Sequence, residues 1–192
     1  MSKKYRNRGI AFIVLVAISL ILFLLDKKKQ ENLKNAQKEN KLWDVEDSKI
    51  KGILLRTAED EIMKCERGEI GWKIISPRKL DVDHSAISTW LHSFTNLSST
   101  EVINSNPSSI DEYGLNPPTD IIEVELKNNL GNLTLSFGAE TPIGNNFYAQ
   151  TNKNSRILKL SDQQKTSLIK SPFDFRDRRI LQIDRLKIKK LQ

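Results

Sequence analysis

Cysteine occurs once, at Cys65, so no disulfide can form within the chain. The strand-like segment around it predicts a half-buried thiol rather than a disulfide-linked partner. Histidine is almost as scarce. His84 and His92 are the only two, and on one predicted helix they stand about 12 Å apart along the axis, too far to share a metal. No Cys/His cluster, phosphate-cradling glycine-rich loop or G-x-S-x-G nucleophile elbow is present. Zinc sites, P-loop chemistry and elbow-type hydrolases therefore have no basis in this sequence. No catalytic residue, metal ligand or cofactor is expected, and the chain reads as a non-enzyme.

What is present begins with an apolar run from Ile10 to Leu25, in which Ser19 is the one polar residue. As a helix this run rises about 24 Å, slightly less than a hydrocarbon core of about 30 Å. Lys3, Lys4, Arg6 and Arg8 precede it and Lys27, Lys28 and Lys29 follow; their long stems can snorkel to the headgroups. A cleaved signal peptide would want small residues after the core, but Leu24-Leu25-Asp26-Lys27 stands there. The run thus reads as an uncleaved transmembrane signal anchor. Basic residues without an acidic partner precede it, which places the N-terminus in the cytoplasm and the body outside. The expected location is the bacterial inner membrane, with a periplasmic or extracellular body.

Net charge follows the same division. Residues 1–41 hold ten Lys/Arg and three Asp/Glu, which accounts for the whole formal +7; residues 42–192 hold equal numbers of each. The excess belongs to the basic tail (1–9), the anchor's flanks and a charged helical stalk or linker (26–41), where it would meet anionic lipid heads. The body needs no polyanion, and no nucleic-acid partner is expected.

Residues 42–192 are long enough for one α+β domain. Strand-like runs at 49–57, 61–67 and 72–75 predict a meander. Asp83 then caps a helix whose apolar stripe is Ala86, Ile87, Trp90, Leu91, Phe94 and Leu97. Further strands are predicted at 100–103, 120–127, 132–138, 147–151 and 156–160. Between them Ile110 to Gly114 reads as one helical turn closed by a left-handed glycine. Ser161 caps a short helix through Lys170, and 173–180 leads into a last strand. The expected architecture is a mostly antiparallel sheet with one main amphipathic helix and short helices on one face, preceded by the transmembrane helix. Lys187-Ile188-Lys189 repeats Lys49-Ile50-Lys51, so residues 180–192 are a possible start of a second copy.

Three segments, in order, resemble a bacterial family known as domain of unknown function 4340. They are Gly71-Trp72-Lys73-Ile74-Ile75-Ser76-Pro77, Tyr113-Gly114-Leu115-Asn116-Pro117-Pro118 and Lys170-Ser171-Pro172-Phe173-Asp174-Phe175-Arg176-Asp177-Arg178-Arg179. The resemblance extends over roughly 42–185. It implies an N-terminal membrane anchor, an α+β extracytoplasmic domain often present in more than one copy, and association with ABC-transporter components of the gliding-motility type. It implies no catalytic residues.

Candidate contacts for a partner or ligand follow from the residues. Tyr113 either anchors a recognition loop or belongs to a helix stop. Asp174, Arg176 and Arg178 either form a charged docking surface or a salt-bridged connection with Phe173 and Phe175 as plugs. Glu140 and Asn145 lie in a long loop at 138–146, the kind of segment that carries contacts. Asp81, Asp83 and His84 have the chemistry for a cation or a hydrolytic site, with a helix N-cap as the plain alternative. The first functional expectation is a non-catalytic accessory or scaffold subunit of an ABC-transporter-type or envelope complex, held by lipid contacts at 10–25 and by membrane-protein partners. The alternative is a binding module for a cell-wall glycan or another envelope ligand, using Tyr113 and the 138–146 loop.

Overall fold

The computed structural model describes residues 41–57, 60 and 62–178, together with Ser19, Leu20, Phe23, Lys27 and Lys28, which are helical. The chain divides into two units, 1–41 and 42–192. Most of the expected anchor (10–25) and stalk (26–41), and the expected strand or second copy at 180–192, lie outside the described residues. Among the described residues no helix is long and apolar enough to cross a membrane.

Within the second unit, nine described strands form one antiparallel sheet. They are β1 (Ile50–Arg56), β2 (Ile62–Gly68), β3 (Gly71–Ser76), β4 (Leu80–Asp81), β5 (Glu101–Asn104), β6 (Asp120–Leu126), β7 (Asn132–Glu140), β8 (Asn146–Thr151) and β9 (Ile157–Ser161). Their spatial order is β4-β3-β2-β1-β6-β7-β8-β9-β5. Two meanders, β1–β4 and β6–β9, are thus joined through the pairing of β1 with β6, in which Ile53 faces Val124 and Leu55 faces Ile122.

Alternation of side chains decides which face is covered. Ile53, Leu55, Met63, Cys65, Ile74, Ile122, Val124, Leu135 and Phe137 are buried in one core cluster. Lys64, Lys73 and Glu125 on the intervening positions are exposed, and Lys51 pairs there with Glu125 at 2.8 Å. Cys65 is fully buried rather than half-buried. Burial pushes its thiol up to about 12, because the thiolate would lose its hydration.

The covering layer is helical. The main helix α1 (His84–Thr95) starts where expected: the Asp83 carboxylate accepts the Ser85 and Ala86 N–H groups, filling orphan donors of the first turn. Ile87, Trp90, Leu91 and Phe94 are buried, as the three- and four-residue spacing demands. Trp43 stacks on Phe94, with centroids 4.6 Å apart, and Trp90 stacks on Phe94 at 5.3 Å. Both indoles are satisfied: Trp43 Nε1 donates to the Phe94 carbonyl and Trp90 Nε1 to the Leu168 carbonyl, each at 2.7 Å.

Two short helices follow β9. In α2 (Asp162–Leu168), Ser161 and Gln164 form a capping box. The chain then departs from the expected run into a strand. Pro172–Phe175 is a helical turn, α3, with Pro172 in its first turn and a second capping box between Ser171 and Asp174. Proline costs nothing at that position because its missing N–H would be an orphan anyway.

Candidate functional site

Helix α3 stands where three clefts meet. One of ≈ 470 Å³ is lined by Leu55, Met63, Asp120, Lys165, Ser171 and Asp174, among others. A second of ≈ 490 Å³ opens toward α1 and includes Trp90, Lys170, Asp174 and Phe175. The third, of ≈ 260 Å³, lies between Pro77, Arg78 and Leu80 on one side and Ser171, Pro172, Phe173 and Arg176 on the other.

Backbone bonds hold this segment at the sheet edge. The Asp83 N–H donates to the Phe175 carbonyl at 2.8 Å, and the Asp177 N–H donates to the Asp81 carbonyl at 2.8 Å. Val82 and Arg176 form an antiparallel bridge between these contacts. The chain after α3 therefore adds to the short edge strand β4, and the N-cap residue of α1 is part of the clasp. Phe175 closes it from within, buried and edge-on to Trp90 at 6.2 Å.

Phe173 points the other way and is 53% exposed. The Arg176 and Arg178 guanidinium carbons lie 4.3 and 4.2 Å from its ring centroid, within cation–π range. Arg178 also donates to the Phe173 carbonyl at 3.1 Å. Arg176 Nε is buried without a hydrogen-bond partner. Asp174 faces inward to the cap: its carboxylate accepts the Ser171 N–H at 2.9 Å and the Ser171 hydroxyl at 2.8 Å. Its partial burial raises the carboxyl, but the Ser171 bonds, with Lys170 and Arg178 nearby, outweigh this and hold it below the usual value.

The expected contact residues fall into two groups. Asp174, Arg176 and Arg178 gather around α3. Tyr113, Glu140 and Asn145 belong to the region of the β7–β8 hairpin. Tyr113 packs edge-on to Tyr148 at 5.1 Å, and its hydroxyl accepts from Asn104 Nδ2 at 3.1 Å. Its turn ends on Gly114, in the left-handed region at φ 64°. The loop at 138–146 is shorter than the sequence suggests. β7 continues through Glu140, which pairs with Phe147 across a register shift, and the Thr141 N–H donates to the Asn146 carbonyl at 2.7 Å. Asn145 is exposed, and its carbonyl accepts the Asp162 N–H.

Asp81, Asp83 and His84 do not converge on a ligand. Asp83 is spent on the N-cap, and the His84 ring lies beside the Cα of Gly71. Among the described residues no group of three His, Cys, Asp or Glu side chains is placed to hold a metal.

Two participants escaped the sequence reading. Lys165 on α2 pairs with the largely buried Asp120 of β6 at 2.8 Å, with its ammonium 4.1 Å from the Phe147 ring centroid. Nothing in either segment signals that pairing. Arg78 joins the third cleft through the cis Ser76–Pro77 turn; its nearness to Arg176 is a product of the clasp. The capping box formed by Ser171 and Asp174 is written in the sequence, although the segment is expected there to lead into a strand.

The family model Domain of unknown function (DUF4340) matches residues 72–192. The chain belongs to that family. The match includes α1, the clasp and α3, and begins in β3 rather than at residue 42. No curated protein and no solved structure matches the chain.

Proposed function

We propose that this DUF4340 member is a membrane-anchored, non-catalytic docking module, an accessory or scaffold subunit of an ABC-transporter-type or envelope complex. The observation that carries the reading is Phe173, held half in solvent between two guanidinium groups on a segment clasped to the sheet edge. An exposed phenylalanine alone needs no explanation. One with two guanidinium groups within cation–π range of its ring is different, because aromatic and arginine side chains are enriched at protein interfaces and their hot spots.

The anchor itself is argued from sequence: the run Ile10–Leu25 and its basic flanks. Body and anchor together suit a protein that positions other membrane components at the extracytoplasmic surface.

Affinity purification of the full chain from gently solubilised membranes tests this. Wild type should recover membrane proteins in fixed proportion, and Phe173→Ala should lose most of them at unchanged expression and membrane content. Recovery of the chain alone under several mild detergents, or full recovery with Phe173→Ala, would remove the reading.

A further inference from the structure

We infer that the cleft between the β3–β4 turn and α3 recognises a carboxylate on the partner, carried beside an apolar side chain. The inference rests on the docking reading above and names the chemistry that the same surface selects.

Size comes first. At ≈ 260 Å³ the cleft is smaller than the roughly 300–1,000 Å³ of typical small-molecule sites. It holds one or two side chains, not a cofactor. Its walls are Pro77, Leu80, Pro172 and Phe173, and its two charged lining residues are Arg78 and Arg176. The occupant must therefore offer an apolar surface and a negative charge at short separation.

Arg176 supplies the second argument. Its guanidinium lies over Phe173 while its Nε is buried with no acceptor. A buried donor left unpaired costs about 1–3 kcal/mol; what an incoming carboxylate would neutralise is the charge that Arg176 shares with Arg78 on the cleft lining. Guanidinium groups take carboxylates in a two-pronged geometry that lysine cannot reproduce. Arg178, on the same phenylalanine, adds to the positive field. Among the described residues no acid lines the cleft, and the Asp174 carboxylate is bound by Ser171. A glutamate or aspartate next to leucine, or a chain-terminal carboxylate on an apolar residue, fits this set.

The test uses the full chain in nanodiscs of phosphatidylcholine. Fluorescence polarisation compares a short labelled peptide alternating glutamate and leucine with its glutamine counterpart. The glutamate peptide should bind at least about tenfold more tightly. Arg176→Gln and Arg78→Gln should each abolish the preference, while Arg156→Gln, in the distant β8–β9 turn, leaves it unchanged. Arg78 is exposed, so its variant keeps the test decisive if Arg176→Gln fails to fold. Equal binding of the two peptides, lost on Phe173→Ala, would overturn carboxylate recognition and leave the docking reading standing. Recruitment by phosphatidylglycerol vesicles that depends on Arg78 and Arg176, without any glutamate preference, would overturn it in favour of a lipid headgroup.

Discussion

Gly138 and Tyr113 are fitted to each other. A β-carbon on Gly138 would overlap the Tyr113 carbonyl oxygen and press on Leu115. The turn at 111–113 can lie on β7 only because position 138 carries no side chain. Gly138→Ala should therefore destabilise the domain by about 1–3 kcal/mol, the usual cost of overpacking. Urea unfolding followed by tryptophan fluorescence reads this directly; a variant as stable as wild type would mean that the turn is free to move away.

Asp120 and Lys165 form the least exposed ion pair described, with side chains 7% and 17% exposed. Asp120 also accepts from Thr119 Oγ1 at 2.9 Å. Removing either partner alone leaves a buried charge, so Asp120→Ala and Lys165→Met should each cost about 3–5 kcal/mol. The double variant should cost clearly less than the sum, with a coupling of about 1–3 kcal/mol in a double-mutant cycle. Additive effects would show that the pair is screened by water.

Asp174 sets a dependence on acid. Its folded pKa lies below the ordinary value, so the unfolded chain takes up the proton first as pH falls. The stabilising contribution is present above the unfolded value of about 3.9 and is lost as pH drops through the folded one. Asp174→Asn should flatten the acid limb of the stability curve below about pH 4. The change should be small, since the carboxyl is mostly solvated. An acid limb identical to wild type would detach Asp174 from the cap.

Cys65 should be silent in the native state. With its thiol pushed up to about 12, Ellman's reagent at mildly alkaline pH should fail to react until urea unfolds the chain. Above the unfolded value of about 8.5, stability should fall with rising pH, because only the unfolded thiol ionises there. Rapid native reaction would show that β2 opens locally.

The order of elements was legible because each rests on short-range physics. The Asp83 cap, the stripe Ile87-Trp90-Leu91-Phe94 and the Gly114 stop all appear where their spacing puts them. The turn Pro172–Phe175 was missed although Ser171 and Asp174 spell its capping box; the apolar residues beside them read more loudly as strand. The loop at 138–146 was overlong for a similar reason, since the register shift after Phe137 has no signature in composition.

Alternation, caps and glycine positions by themselves determined an α+β body with antiparallel strands, the residues that face its core, and an apolar N-terminal run with all the net charge gathered around it. These are local properties, written within a few residues of where they act. Only the tertiary structure decided that β1 pairs with β6, that Asp120 meets Lys165, and that Phe175 returns to the N-cap of α1 and so sets Phe173 and Arg176 against Arg78. Each of these joins segments far apart in the chain, and their meeting depends on burying one shared core rather than on anything either segment carries alone.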